Sequence, residues 1–229
     1  MLEAKKLSMQ YDDTMALKEL SFTVAPGEIF CLLGQNGAGK TTTINIFLGL
    51  LTPTSGEALI DDVSTNKKSS RNSIAYIPEI VQLYGNLSGV ENLDYFSRLA
   101  GFVYSKEELN ALLKKVNLQD EAHNKRLITY SKGMRQKVGI AIALAKKASY
   151  ILMDEPTSGL DPKASVEFAE LCKELSANGV GILMATHDIF NAVNIGSKIG
   201  IMKEGRLVQT AETSKISAQE LQELYIKTI

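Results

Sequence analysis

One eight-residue stretch limits this chain to few folds: Gly34-Gln35-Asn36-Gly37-Ala38-Gly39-Lys40-Thr41. It fits the phosphate-binding pattern G-x-x-x-x-G-K-[ST] at every position. An apolar run, Ile29-Phe30-Cys31-Leu32-Leu33, enters the loop as a buried strand would, and residues 41–51 leave it with the composition of a helix. Glycines let successive backbone N–H groups turn inward, so a helix N-terminus becomes a nest of positive dipole ends. A β-phosphate suits that nest. Lys40 can reach the β- and γ-phosphates, and the Thr41 hydroxyl is placed to ligate Mg²⁺. Gly34, Asn36, Gly37, Ala38, Gly39, Lys40, Thr41 and the following Thr42 are therefore the candidate nucleotide-binding residues. A Gly-rich strand-to-helix turn with a chance lysine is the plainer alternative, and the flanking strand and helix argue against it.

The 229 residues allow one large α/β domain with room for a small inserted subdomain. A net charge of −1 lacks the basic excess of a nucleic-acid footprint. The two cysteines stand alone, Cys31 in the apolar strand and Cys172 in a helical pattern, and both read as small core residues. The first residues lack the apolar stretch of a secretory signal, and no run approaches the length of a membrane span. A soluble, intracellular protein is expected.

Strand and helix patterns alternate, which favours a mainly parallel sheet with helices on both faces. Residues 2–9, 20–24 and 57–60 read as strands of an antiparallel layer attached to the edge of that sheet. Further strands are expected at 73–78, 150–153, 181–185 and 199–202. Residues 88–147 change character to helix, with a capping box at Ser105-Lys106-Glu107-Glu108. The expected organisation is a core formed by 1–87 and 148–229 with a helical subdomain at about 88–147.

The run Tyr150-Ile151-Leu152-Met153-Asp154-Glu155 ends a buried strand in two acids. A strand delivering a carboxylate at its C-terminal end is how P-loop enzymes hold the Mg²⁺ shell, so Asp154 is assigned there. Glu155 stands where an attacking water must be polarised and is the candidate general base, against the plainer reading of a turn acid before Pro156.

Beyond these motifs the chain resembles the ATP-binding cassette (ABC) ATPases. Tyr130-Ser131-Lys132-Gly133-Met134-Arg135-Gln136 is similar to their signature loop, Ser158-Gly159-Leu160-Asp161 to their D-loop, His187 to their switch histidine and Tyr11 to their adenine-stacking aromatic. The resemblance covers essentially the whole chain. It implies an α/β cassette with a P-loop core, an antiparallel β layer and an inserted helical subdomain, hydrolysing ATP with Mg²⁺. It also implies a head-to-tail dimer in which Ser131 and Gly133 present a helix N-terminus to the γ-phosphate held by a second copy. Asp161 would join that site, and His187 would contact the γ-phosphate and orient water. The partners implied are a second copy and an integral membrane permease, which would hold the chain on the inner face of the membrane. His123 matches nothing and is expected at the surface.

Three departures from the family pattern stand out. Glu79 follows Pro78 where a glutamine is usual, and its carboxylate could ligate Mg²⁺ while adding negative charge near the γ-phosphate. Lys132 replaces the first signature glycine and Met134 the signature glutamine. These variants resemble the single-domain ATPases of ABC-2-type exporters. From Tyr76-Ile77-Pro78-Glu79 through Leu83-Tyr84, Leu87-Ser88-Gly89, Glu91, Leu93 and Phe96 to Leu99 and Gly101, the chain is similar to the ATPase of the transporter for copper-centre maturation of nitrous oxide reductase. Ile80, Val81, Leu83, Tyr84 and Leu87 concentrate apolar side chains in one loop, as a groove for a membrane-subunit helix would, or as packing beneath the helical insert. The competing function is a soluble ABC ATPase of translation or DNA repair. Such proteins carry paired cassettes or a long inserted coiled coil, and this chain has neither.

Overall fold

Every side chain of the strand Ile29–Leu33 (β3) is buried, and that strand organises the computed structural model, which describes residues 1–228. Successive side chains of a strand face opposite ways. Ile29, Cys31 and Leu33 accordingly join one apolar core while Phe30 and Leu32 join another. In chain order the other strands are Leu2–Tyr11 (β1), Thr14–Val24 (β2), Ser55–Ile60 (β4), Val63–Ser64 (β5), Ile74–Ile77 (β6), Tyr150–Asp154 (β7), Gly181–Thr186 (β8), Lys198–Lys203 (β9) and Arg206–Glu212 (β10). The helices are Lys40–Phe47 (α1), Gly89–Leu99 (α2), Lys106–Lys115 (α3), Asp120–His123 (α4), Lys132–Ala145 (α5), Pro162–Ala177 (α6), Ile189–Ile195 (α7) and Ala218–Thr228 (α8).

The core sheet runs β10-β9-β3-β8-β7-β6, all parallel except the antiparallel edge strand β10. Its central strands are covered on both faces, which is why they read as unbroken apolar runs. β7 divides its side chains as β3 does, Ile151 and Met153 to one core, Tyr150 and Leu152 to the other.

The antiparallel layer is a sheet of its own, ordered β2-β1-β4-β5, rather than an extension of the core sheet's edge. Between the two sheets lie Ile44, Ile46 and Phe47 of α1, with Phe22 stacked on Phe30 at 5.1 Å between centroids. A direct backbone link joins the layer to the β9–β10 turn, where Lys18 N donates to Gly205 O at 2.8 Å. β1 and β2 extend further than the sequence pattern suggests because both are bulged. Register shifts follow Ala4 and Leu7, and Lys6 and Glu19 take positive φ values of 47° and 52°. Each bulge resets the in–out alternation on which sequence reading depends.

On the opposite face of the core sheet, α2, α3 and α5 pack together around Leu93, Leu109, Leu113 and Val138. Capping boxes open α2 at Ser88 and α3 at Ser105. His123 is not at the surface. It is 2% exposed, with Nδ1 2.9 Å from Asn110 Oδ1 and Nε2 3.0 Å from Leu118 O. The ring pins α4 against α3, and the Asn110 partner, on a different helix, leaves no local sequence trace. Cys31 and Cys172 are fully buried; burial pushes the Cys31 thiol up to about 12, and burial, with Cys31 adding, pushes Cys172 up as well. Among the described residues no helix is long and apolar enough to cross a membrane.

Candidate functional site

The loop between β3 and α1 depends on backbone geometry that only glycine provides cheaply. Gly37 and Gly39 have φ values of 82° and 104°. A Cβ on Gly39 would lie 2.7 Å from both Ala16 O and Leu17 Cδ2. β2 therefore presses directly on the loop. Gly34 N donates to Thr186 O, and Lys40, 6% exposed, donates from Nζ to Gly34 O at 2.6 Å and Gln35 O at 3.2 Å. Asn36, Gly37, Gly39, Lys40, Thr41 and Thr42 line one side of a cavity of about 380 Å³, with Glu79, Asp154 and Glu155 on the other side. Ala38 lines an adjoining pocket of about 230 Å³ beside Met202 and Lys203.

β7 brings its two terminal acids to this cavity in different settings. Thr41 Oγ1 donates to Asp154 Oδ2 at 2.9 Å. Burial pushes the Asp154 carboxyl up; the Thr41 hydrogen bond opposes that, Glu155 and Glu79 reinforce it, and Lys40 opposes it. Glu155 has left the strand with φ 46°, a left-handed backbone for a residue with a Cβ, which costs on the order of 1–3 kcal/mol. The turn aims its carboxylate inward: Oε2 lies 2.9 Å from His187 Nδ1 and Oε1 lies 3.7 Å from Lys40 Nζ. A carboxylate so placed, with one histidine and one lysine, can accept a proton from water held against a phosphate. The hydroxyl of Thr41 and the carboxylate of Asp154 are hard oxygen donors of the kind Mg²⁺ accepts, with Glu79 in the same cavity. Among the described residues no group of three or more His, Cys, Asp or Glu side chains is placed to hold a metal ion.

Ser131, Gly133 and Asp161 are not brought to that cavity. They line a separate one of about 440 Å³, with Met134 and Lys137. Ser131 is the N-cap of α5, its hydroxyl accepting from Met134 N at 3.3 Å. Asp161 is the N-cap of α6, accepting from Ala164 N at 2.9 Å. Gly133 also has a packing reason, since a Cβ there would sit 3.3 Å from Ala164 Cβ. Tyr11 ends β1, is 41% exposed and lines neither cavity; from the adjoining hairpin strand it is Ala16 that reaches the P-loop.

Two features escaped the sequence reading. Gln136 is fully buried on α5, and its Nε2 donates to Pro156 O, tying the helix to the loop after Glu155. A polar residue in the middle of an apolar helical face was the available signal. The second is a cluster between loops: Ser158 Oγ donates to Glu79 Oε1 at 2.9 Å, Lys132 Nζ donates to Ser158 O at 2.5 Å, and Lys132 Nζ lies 4.0 Å from Glu79 Oε1.

The apolar loop after Glu79 divides. Ile80 and Tyr84 are exposed at 63% and 50%, whereas Val81 is buried beneath α5, where a Cβ on Gly139 would meet it at 3.4 Å. Leu83 and Leu87 are half-buried. Tyr84 packs edge-on to Tyr95 and stacks on Phe96. Ile80, Leu83, Ile128 and Arg135 line a groove of about 340 Å³, in which Arg135 Nε has no hydrogen-bond partner among the described residues.

Comparison with known proteins gives consistent matches. The ABC transporter family model matches residues 17–158. The ABC transporter ATP-binding protein YxlF of Bacillus subtilis is 36% identical over 222 residues, covering 96% of this chain and 74% of that protein. The bacitracin transport ATP-binding protein BcrA of Enterococcus faecalis is 35% identical, covering 94% and 70% respectively. Among solved structures, the dimeric post-hydrolysis state of the ATP-binding cassette MJ0796 bound to ADP and Pi superposes with a TM-score of 0.82 at 28% identity, covering 93% of this chain and 99% of that one.

Proposed function

From the premise that the chain belongs to the ABC transporter ATPase family, we propose that two copies close head to tail over two molecules of ATP. Each site would combine the P-loop of one copy with the Ser131–Gly133 turn of the other. The observation that carries this reading is the separation of the half-sites within one chain, into a 380 Å³ cavity over the P-loop and a 440 Å³ cavity at Ser131, Gly133 and Asp161. A two-fold pairing places each against its complement.

The chain is an ATP-binding ATPase. In the proposed site the Gly34–Thr42 backbone cradles the phosphates, Lys40 neutralises them, and Tyr11 stacks on adenine. Mg²⁺ would be held by Thr41 and Asp154, with Glu79 as a further oxygen ligand, and would supply charge neutralisation on the phosphate oxygens. Glu155 accepts the proton of the attacking water, and His187 orients that carboxylate and meets the γ-phosphate. Ser131, Gly133 and Asp161 act from the other copy. Residues 88–147 form a helical subdomain that moves against the core of 1–87 and 148–229.

The membrane partner is an integral permease whose short cytoplasmic helix lies in the groove by Ile80, Leu83 and Ile128, which would keep this chain on the inner face of the membrane. The segment from Tyr76 to Gly101 supports an ABC-2-type system serving copper-enzyme maturation, whereas the bacitracin transport relative points to antibiotic export. Co-purification from membranes with mass-spectrometric identification of the permease decides between them.

The composite site is tested by mixing Lys40→Ala chains with Ser131→Arg chains. Each heterodimer then has one intact site, made by the P-loop of the Ser131→Arg chain and the turn of the Lys40→Ala chain. ATPase activity is expected to return in the mixture although neither variant is active alone. A mixture shown to form heterodimers that gains no ATPase activity over either variant alone would contradict the reading.

A further inference from the structure

The net charge of −1 is unevenly spread over the fold. Lys67, Lys68, Arg71, Lys146 and Lys147 gather where the segments entering β6 and β7 run side by side, with Ser149 N donating to Ser73 O at 2.8 Å. This edge of the core sheet holds the N-terminal ends of those parallel strands, whereas the phosphate cavity lies at the C-terminal ends. Among the described residues none of the five cations pairs with a carboxylate. Carbonyls and a ring hold them instead. Lys146 Nζ donates to Arg71 O and Ile74 O, both at 2.7 Å, and Arg71 Nη2 donates to Gly49 O at 2.8 Å. Lys147 Nζ lies 5.4 Å from the centre of the Phe102 ring.

Lys146 is the brace of this arrangement, and burial holds its ammonium below the usual lysine range. It ties the end of α5 to the short 3₁₀ turn Lys68–Ser73 and leaves Lys67, Lys68, Arg71 and Lys147 exposed. Of the acids in adjoining segments, Asp94 is paired with Arg98, Glu108 caps α3 and Asp61 accepts from Tyr150. The same contacts bring large apolar side chains to the rim. Gly49 precedes Leu50, which is 66% exposed, and Phe102 precedes Val103, which is 72% exposed. Back along α2, Leu99 and Tyr95 are exposed one turn apart, and Tyr95 packs on Tyr84 beside the groove at Leu83. An exposed apolar and tyrosine strip therefore ends in a basic rim.

That composition fits an anionic lipid surface, where ammonium groups meet headgroup phosphates and apolar tips enter the boundary beneath them. A protein partner fits it less well. Three of the four exposed cations are lysines, the cation depleted at protein interfaces. We propose that this rim rests on the anionic surface of a membrane, an attachment made by the chain itself. It depends neither on the permease nor on dimer formation.

Flotation of the full chain with lipid vesicles, without nucleotide, tests this. Vesicles of phosphatidylglycerol mixed with phosphatidylcholine are expected to carry the chain, and vesicles of phosphatidylcholine alone are not. High salt is expected to release it by screening. Lys67→Gln, Lys68→Gln and Lys147→Gln together should cut the partition by about tenfold or more. Lys67→Arg, Lys68→Arg and Lys147→Arg together should keep it, since the charge alone is used. Leu99→Ser with Val103→Ser should weaken it by about threefold or more through lost apolar contact. Thermal unfolding and nucleotide binding should match the wild type throughout, because none of these side chains lines the phosphate cavity. Binding that ignores headgroup charge, or that survives the Lys→Gln changes, would overturn the proposal. So would a wild-type chain that fails to float with the anionic vesicles; loss of co-purified permease in the Lys→Gln variant would then assign the rim to a protein contact.

Discussion

At the scale of single residues, Glu155 carries the heaviest assignment. Its strained backbone holds a carboxylate between His187 and Lys40, and neither contact needs the negative charge for nucleotide binding itself. Glu155→Gln keeps the shape and removes the base. It is expected to bind ATP within about twofold of wild type while turnover falls by about 10²–10⁴-fold, read as phosphate release beside nucleotide titration. Hydrolysis close to the wild-type rate would take Glu155 out of the base role. Lys40→Ala should act on the other quantity, weakening nucleotide binding by about 10–100-fold, because a charge-assisted contact to phosphate is lost. These residues were legible in the sequence because their spacing is fixed by local geometry: a loop that must turn, then a strand that must end in an acid. His123 and Gln136 were not, since their hydrogen-bond partners come from elsewhere in the chain.

At the scale of elements, the loop after β6 and the strands of the smaller sheet are the informative cases. The sequence shows five apolar side chains in that loop but not which of them face out. Ile80 and Tyr84 do, and Val81 does not. Ile80→Asp and Tyr84→Asp are expected to leave thermal stability and ATP binding nearly unchanged while reducing co-purification with the proposed permease. Val81→Asp should instead destabilise the isolated chain by about 3 kcal/mol or more, visible as a loss of several degrees in Tm, because a charge is forced beneath α5. If all three variants unfold alike, the division of the loop is wrong. Gly39→Ala sets a similar check on the P-loop, where the added methyl meets Ala16 O and the positive φ disfavours it; a loss of about 1–2 kcal/mol in chemical denaturation is expected, with weakened nucleotide binding. The capping box made α3 easy to place, whereas the bulges hid the first half of β2 and the last two residues of β1.

At the scale of the whole molecule, the fold is a pair of sheets sharing one helix, and β3 feeds both cores. The alternating βα pattern revealed the parallel sheet. That the antiparallel strands form a second sheet could not be read from alternation, because the aromatic packing between the sheets joins Phe22 and Phe30 with Phe47 of α1, residues scattered along the chain. The other core, on the opposite face of the main sheet, encloses Cys31 and Cys172 and holds both thiols far from ionisation. Ellman's reagent is expected to detect no thiol in the native chain at pH 8 and two after unfolding in guanidinium chloride. A fast-reacting thiol in the native chain would contradict this burial.

The silence of those two thiols offers an optical and magnetic opportunity. A single cysteine introduced at an exposed position such as Ile128 or Phe190 would be the sole site taken by a maleimide dye or a nitroxide. No native sulfur would need to be removed beforehand, so the interior packing would stay as nature left it. Two labelled copies would then act as a molecular ruler, with the spin–spin or donor–acceptor distance reporting whether the proposed pair approaches and parts as nucleotide is added and consumed.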